Sequence, residues 1–302
     1  MASLSNLSGE HLEPIDYEKF SVLAPCLLKL SSKYFKSKRS LKGSLVVINL
    51  LSHPNSFIQR RILQAMNEDK DHALGIMVKV AHKPHRNASR VTDRAKNYML
   101  LLDDINDVDA TLKMWKRLPT WNPLATTLVV FMEPLADVKV KNQLVREAFV
   151  KLFSEGIIYA NALYQLTENS LKLEVETWFP YQDDGCAKKV GKIHKIDECI
   201  VPPYDDTKEL SIKTMNEFNT EMFPKLPDSL HQCVMKASTY VWEPFVVGNI
   251  THIESGLEVI MLKTILGQMD MKVDFKILRK EVVTRKITND NETGIYADLI
   301  QK

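Results

Sequence analysis

Five strand-length segments alternate with helical patterns along the first 180 residues, and this alternation constrains the fold more than any other feature. Most of the segments are uncharged, and they cover Leu45–Leu51, Ala73–Val78, Leu124–Phe131, Ile157–Leu166 and Leu171–Trp178. A continuous apolar run is typical of a strand that helices cover on both faces. Strands that alternate with helices favour a parallel, doubly wound sheet with right-handed crossovers. The sequence therefore predicts an α/β fold with a mainly parallel sheet.

The helical patterns have identifiable starts and ends. They cover residues 17–35, 92–102, 107–117 and 138–153. Gly156 lies just beyond the last of them, where glycine commonly ends a helix. Ser255 and Glu258 have the spacing of a capping box, which predicts a helix from there to about Met269.

Changes in composition divide the chain into four parts. Residues 1–43 are expected to be poorly defined at first and then helical, and residues 44–181 form the α/β domain. Residues 182–228 are rich in proline, aspartate and glycine, which indicates turns and a linker. Residues 229–302 contain a strand, a turn, a helix and a second strand, in the order of one βαβ unit. Because a single βαβ unit cannot bury both faces of its sheet, we expect this last part to be a truncated lobe.

The balance of charge and the distribution of apolar residues exclude several classes of protein. The chain has 40 Lys and Arg against 38 Asp and Glu, so it lacks the basic surface of a nucleic-acid-binding protein. No run approaches the roughly 18 apolar residues that a membrane-spanning helix needs. Glu10, Glu13 and Asp16 precede any apolar run, so the N-terminus does not resemble a signal peptide.

Signatures of catalysis and of cofactor binding are missing from the sequence. None of the ten glycines forms a Gly-x-Gly pair, which excludes the dinucleotide fingerprint and the phosphate loop. A Gly-x-Ser-x-Gly nucleophile elbow is missing as well. The strongest metal candidates are Cys186, His194, Cys199 and Cys233, but no Cys-x-x-Cys pair anchors them. We therefore predict that the chain is not an enzyme and holds neither a metal nor a cofactor.

Two features favour the secretory route, although the N-terminus resembles that of a cytosolic protein. Glycosylation sequons occur at Asn6, Asn87, Asn249 and Asn291. Cys186 and Cys199 flank a short charged loop with a spacing that suits a disulfide across a hairpin. A pair of reduced, buried thiols is the alternative for these two cysteines.

The last part of the chain carries an ordered series of motifs. They are Pro224-x-x-Pro227-x-x-Leu230-x-x-Cys233, Glu243-Pro244-Phe245, Gly256-x-Glu258 with Leu262 and Leu266, and Thr293-Gly294-Ile295-Tyr296-Ala297-Asp298-Leu299. Their order and spacing resemble the first half of the ligand-binding clamshell of an ionotropic glutamate receptor. Upstream, Thr177-Trp178-Phe179-Pro180-Tyr181 and Trp115-x-x-Leu118-Pro119-x-Trp121-Asn122-Pro123-Leu124-Ala125 resemble the insect ionotropic receptors, the chemosensory branch of that family. The resemblance runs from about Cys26 to the C-terminus.

The resemblance implies an extracellular fragment of a ligand-gated cation channel subunit. The α/β domain would be a divergent amino-terminal domain, and residues 229–302 would be the first segment of a lobe like that of the periplasmic binding proteins. The subunit would assemble with ionotropic co-receptor subunits at the plasma membrane. It would contact the membrane only through segments missing from this chain, and it would respond to a small molecule.

The resemblance also implies a ligand-binding site. Phe245 matches an aromatic residue that lies over the ligand in glutamate receptors, where tyrosine is usual; an ordinary core aromatic is the alternative. Glu243 belongs to the turn that presents Phe245, and Thr293 with Gly294 matches a turn close to the cleft. The arginine that grips the ligand in relatives has no counterpart here, so the residues do not indicate which ligand binds. A soluble small-molecule binding module or decoy, and a cytosolic α/β protein, are the competing hypotheses.

Overall fold

The computed structural model of the chain describes residues 14–35, 44–49, 62–66, 75–80, 95–102, 107–118, 120–167, 172–182, 186–200, 211–214 and 229–278. The chain forms two compact units. Unit 1 contains Met1–Phe179 and Lys189–Lys225, and unit 2 contains Pro180–Lys188 and Leu226–Lys302. The short segment Pro180–Lys188 of unit 2 therefore lies in sequence between the two segments of unit 1.

Unit 1 is built on an eight-stranded mixed sheet. Its strands are β1 (Ser44–Asn49), β2 (Gly75–Val80), β3 (Asn97–Leu102), β4 (Thr126–Phe131), β5 (Ala160–Gln165), β6 (Lys172–Trp178), β7 (Ile193–Ile200) and β8 (Ser211–Thr214). Their order in the sheet is β2-β1-β3-β4-β5-β6-β7-β8. The first five strands in this order are parallel, and β6, β7 and β8 continue the sheet antiparallel. The predicted α/β fold with a mostly parallel sheet is confirmed.

Helices cover both faces of this sheet. They are α1 (Pro14–Phe35), the helical residues 62–66, α2 (Asp107–Trp115) and α3 (Val138–Ser154). One core cluster joins α2 and α3 to the sheet, and the other joins α1 and residues 62–66 to it. Alternate residues of β3 enter the two clusters, Tyr98 on one side and Met99 on the other. A central strand with both faces buried explains why the apolar runs are continuous.

The prediction of a helix over residues 92–102 is wrong, because residues 97–102 form the central strand β3. All six residues of this strand are buried, and it pairs with β1 on one side and β4 on the other. An apolar run that faces two cores has no period, so it cannot be told from a buried helix by its pattern. Only the position in the sheet identified this segment as a strand.

Both ends of α3 follow from local chemistry. The Asp137 side chain accepts a hydrogen bond of 2.8 Å from the Val140 amide, which caps the start of the helix. At the other end Gly156 has a φ of +81°, and its amide bonds to the carbonyl of Phe153. The next amide, of Ile157, reaches back to the carbonyl of Leu152. This is the closing motif expected from a glycine just past a helix end, and that prediction is confirmed.

The segment expected to be a linker, 182–228, contains two strands instead. β7 pairs along most of β6, and β8 pairs with β7 at the edge of the sheet. β7 is charged, with Lys195, Asp197 and Glu198 among its eight residues, so it lacks the apolar run that marks the parallel strands. Oppositely charged side chains on the neighbouring strand and on α1 pair with these charges. Local sequence patterns do not reveal such pairs, because the partners are distant in the chain.

The predicted Cys186–Cys199 disulfide is wrong, because each cysteine pairs elsewhere. Cys199 on β7 bonds Cys26 on α1, 173 residues away, and both residues are fully buried. Cys186 bonds Cys233 within unit 2, 47 residues away. Because β7 is the seventh strand of the sheet and α1 packs over it, the partner of Cys199 comes from the start of the chain. No thiol remains free for zinc.

Beside the Cys26–Cys199 disulfide, an ionic contact fastens α1 to β7. The Lys33 ammonium lies 2.7 Å and 2.8 Å from the two carboxylate oxygens of Asp197, which is only 1% exposed. The Tyr34 hydroxyl donates a further hydrogen bond to Asp197. Burial first, and then the charge of Asp197, raise the pKa of Tyr34, so it remains a neutral donor.

A second group of charges covers the opposite face of β6 and β7. It consists of Lys172, Lys195, Glu174 and Glu198, and the ammonium and carboxylate groups that pair lie between 2.6 and 3.1 Å apart. The Tyr164 hydroxyl donates to Glu174. Burial pushes the pKa of Glu174 up, but hydrogen bonds from Lys195, Tyr164 and Lys172 outweigh it and hold the pKa below its usual value. The pKa of Glu198 is lowered against burial in the same way, by Lys172 and Lys195.

These two carboxylates should make unit 1 sensitive to acid. Since their pKa values are lowered by folding, their contribution is present above the unfolded pKa of about 4.3 and is lost as the pH falls through the folded values. We expect the Glu174→Gln/Glu198→Gln variant to lose less stability than the wild type between neutral pH and acid. Urea unfolding across this pH range measures the difference. Glu155→Gln, which removes the carboxylate of the more exposed Lys116–Glu155 ion pair, is the control.

The described part of unit 2 contains one βαβ unit and a small hairpin. The parallel strands β9 (Val234–Thr239) and β12 (Lys272–Ile277) flank α4 (Leu257–Gln268), and β10 (Val247–Gly248) pairs antiparallel with β11 (Ile253–Ser255). The predicted strand–turn–helix–strand order is confirmed. The capping box at Ser255 is wrong: the helix begins one residue later, with Gly256 as its cap and no side-chain hydrogen bond.

Candidate functional site

The strongest candidate site is a group of three aromatic side chains at the carboxyl end of β9. We call Tyr240, Trp242 and Phe245 the aromatic turn. The Tyr240 and Trp242 rings are stacked, 6.1 Å between centroids, and the Phe245 ring lies 5.2 Å from that of Trp242. Trp242 is 54% exposed, which is unusual for a tryptophan. In open α/β sheets, ligands bind beyond the carboxyl ends of the strands, where this group lies.

Backbone hydrogen bonds fix the shape of this turn. The amides of Phe245 and Val246 both donate to the Trp242 carbonyl, at 2.9 Å each. The Glu243–Pro244 peptide bond inside the turn is cis. The two hydrogen bonds hold Trp242 and Phe245 on one short loop. In this loop Phe245 is half-buried and Glu243 is exposed.

The N-terminus of α4 lies directly against the aromatic turn. The amides of Leu257 and Glu258 donate to the carbonyls of Pro244 and Phe245, at 3.3 Å and 3.1 Å. A Cβ atom on Gly256 would lie 2.2 Å from the Phe245 carbonyl oxygen, and its φ of +123° also favours glycine. Gly256 therefore allows the helix to approach the turn this closely.

One face of α4 is apolar and exposed. Val259 and Leu266 are buried, and the opposite side carries an exposed stripe of Leu257 (63%), Ile260 (57%), Met261 (58%) and Ile265 (49%). These positions lie on one side of a helix. Contiguous apolar surface of this kind typically packs against another element or another protein.

In the described part of unit 1, a buried lysine and a buried glutamate form an ion pair. The Lys141 ammonium on α3 lies 2.7 Å from Glu176 on β6, and their side chains are only 10% and 7% exposed. Lys141 also lies 5.6 Å from the centroid of the Tyr164 ring. Burial, and then the charges of Glu176 and Glu174, raise the pKa of Tyr164, so its hydroxyl remains protonated at neutral pH. This arrangement suits a structural role.

The described residues also lack a metal site. No group of three or more His, Cys, Asp or Glu among them is arranged to hold a metal ion. Three of the four metal candidates, Cys186, Cys199 and Cys233, are disulfide-bonded, and the fourth is His194.

The structure brings together only part of the predicted ligand site. Phe245 and Glu243 lie in the aromatic turn, whereas Thr293 and Gly294 fall outside the described residues. Sequence reasoning did not include Tyr240 and Trp242 in the site. The spacing Tyr240-x-Trp242-x-x-Phe245 directly after a strand was the available signal, because a tight turn there brings the three rings together.

Of the four sequons, only Asn249 lies in the described part of the chain, since Asn6, Asn87 and Asn291 fall outside it. Asn249 is exposed in the loop between β10 and β11. Its side-chain oxygen accepts hydrogen bonds from the Thr251 amide at 2.9 Å and the Thr251 hydroxyl at 2.6 Å. The asparagine and the threonine of this sequon are thus both at the surface and adjacent.

We expect a glycan on Asn249 when the chain passes through the secretory pathway. The reason is that the sequon lies on an exposed turn, where the modifying enzyme has access. Asn249→Gln should remove one increment of mass, seen as a mobility shift that a peptide N-glycosidase abolishes in the wild type. Gln143→Asn, an exposed position without a sequon, is the control. Equal mobility of wild type and Asn249→Gln would contradict the prediction.

Two observations bear on the compartment. Two disulfides, one of them fully buried, are typical of proteins from oxidising environments. None of the helices in the described part of the chain combines the length and apolarity needed to cross a membrane.

Neither a protein-family model nor a curated protein matches this chain.

Proposed function

We propose that this chain is an extracellular, ligand-binding part of an ionotropic receptor subunit of the insect chemosensory type. Unit 1 would be the divergent amino-terminal domain, and unit 2 would contribute the first segment of a ligand-binding lobe. The whole subunit would be a ligand-gated cation channel that works with co-receptor subunits at the plasma membrane. Closure of the lobe on a small molecule would bias the gate through the ligand's higher affinity for the closed state.

The observation that carries this proposal is the aromatic turn. The motif Glu243-Pro244-Phe245, singled out by the resemblance, lies at the carboxyl end of β9 and against the N-terminus of α4. The exposed Trp242 beside Phe245 gives this edge a large apolar face without a covering element among the described residues. Such a face suits a cleft that closes over a ligand.

Two further features support the proposal. The disulfides favour an extracellular chain over a cytosolic one. The exposed apolar stripe of α4 suits a lobe that packs against further protein, and it fits a free-standing decoy less well.

The first experiment is sequencing of the native transcript through both ends of this reading frame. The proposal expects the frame to continue past Lys302 into apolar segments of about 20 residues and a second lobe. The full-length product, expressed with a co-receptor subunit, should then give ligand-evoked cation currents that Trp242→Leu abolishes while surface expression is kept. A frame that begins at Met1 and stops at Lys302 would contradict the channel function.

A further inference from the structure

The side chains of the aromatic turn favour a binding partner of one charge over the other. Trp242 presents more than half of its surface to solvent, with Tyr240 stacked on it and Phe245 tilted against it. The faces of aromatic rings carry negative potential, which attracts cations and disfavours anions. The three rings therefore favour a positively charged partner over a negatively charged one.

The charged residues of the chain segment that contains the turn have the same preference. Between residues 240 and 258 the chain carries three carboxylates, Glu243, Glu254 and Glu258, and neither lysine nor arginine. Glu243 and Glu254 are exposed, and Glu243 immediately follows Trp242 in the turn. A carboxylate next to an aromatic face complements an ammonium group in both charge and hydrogen bonding.

At the start of α4, the first two amides are already bonded to the aromatic turn. The first amides of a helix bind anions when they are unsatisfied. In α4, the amides of Leu257 and Glu258 already donate to the carbonyls of Pro244 and Phe245, and Glu258 adds a negative charge to the first turn. Two of the first amides of α4 are therefore already used, and this segment offers a carboxylate ligand neither lysine nor arginine.

From these three observations we propose that the aromatic turn binds an organic ammonium cation, with the cation against Trp242 and its charge balanced by Glu243. This inference rests on the proposed function, because it specifies the ligand class of the same lobe. The selectivity would come from the charge of the ligand head rather than from its shape.

Three probes of nearly equal shape test the charge preference on the full chain. They are choline, its uncharged isostere 3,3-dimethyl-1-butanol, and the anionic 3,3-dimethylbutanoate. Titration calorimetry at low salt should show choline binding at least about tenfold more tightly than the neutral isostere, with the anion weakest. Equal binding of choline and its neutral isostere, or tighter binding of the anion, would overturn the inference.

Variants locate the binding. Trp242→Leu keeps an apolar side chain but removes the ring, and should weaken choline about three- to thirtyfold. Glu243→Gln should weaken choline while leaving the neutral isostere unchanged. Asp274→Asn makes the same change of charge on an exposed residue of β12, and should have no effect. Choline binding that Trp242→Leu leaves intact would overturn the assignment to the aromatic turn.

The inference and the proposed function can fail separately. No measurable binding of choline at about 10 mM, by a chain that is secreted and folded, would overturn the cation preference. The proposed function would then still stand or fall on the transcript and on the ligand-evoked current. Tight, Trp242-dependent binding of the anionic probe would overturn the cation preference and support a ligand-binding lobe.

Discussion

Replacing Cys26 and Cys199 together by alanine is expected to lower the free energy of unfolding of unit 1 by about 3–5 kcal/mol. The bond joins residues 173 positions apart, so its loss frees a long loop in the unfolded chain. Both cysteines are fully buried where α1 packs on β7, so no solvent contact replaces the bond. Urea unfolding of the oxidised proteins, followed by circular dichroism, measures the change.

A matched variant shows whether the effect is specific to α1. Cys186→Ala/Cys233→Ala removes the disulfide of unit 2, which closes a loop of only 47 residues. It should destabilise unit 2 and leave the unfolding of unit 1 unchanged. A loss of less than about 1 kcal/mol for the Cys26/Cys199 variant would show that packing and the Lys33–Asp197 contact hold α1 without the bond.

Removing Lys141 should have an effect of similar size. Lys141→Met leaves the Glu176 carboxylate buried without its cation, and breaking a buried pair in this way costs about 3–5 kcal/mol. The side chains are 10% and 7% exposed, so water cannot replace the lost partner without distorting the packing of α3 on β6. Thermal and urea unfolding of unit 1 measure this loss.

The double variant Lys141→Met/Glu176→Leu distinguishes the lost charge partner from lost packing. With both charges removed, we expect most of the stability to return, because apolar side chains of similar volume commonly replace a buried ion pair at little cost. Lys116→Met, which removes the partner of Glu155 in a far more exposed pair, should cost less than about 1 kcal/mol. A double variant as unstable as Lys141→Met would attribute the effect to shape rather than to charge.

The upstream motifs that carry the family resemblance have structural roles in unit 1. Trp115 is buried against Tyr98 and Trp121, and the Asn122 side chain donates to the Ala95 carbonyl at 2.8 Å. Trp178 is buried against Phe153. These residues join α2 and α3 to the sheet, so they support the fold more directly than they support any ligand. Among the described residues, the aromatic turn is where a motif residue lies beside an exposed aromatic side chain.

The candidate site was predictable in part. Phe245 and Glu243 were identified from their motif, and the structure places both in one tight turn. Trp242 was missed, because the spacing of the three aromatic residues predicts that their rings meet but not that the tryptophan is exposed. The role of Gly256 was missed as well, because the close approach of α4 to the Phe245 carbonyl exists only once helix and turn have packed together.

The sequence by itself determined the features that depend on neighbouring residues. The α/β class, the ends of α3 and the βαβ order of unit 2 follow from hydrophobic period, caps and glycine, which act within a few residues. The tertiary structure alone decided which cysteines pair, that residues 97–102 are a strand, and that Lys141 faces Glu176. Each of these depends on contacts between residues distant in the chain, and sheet order and helix packing set such contacts rather than any local pattern.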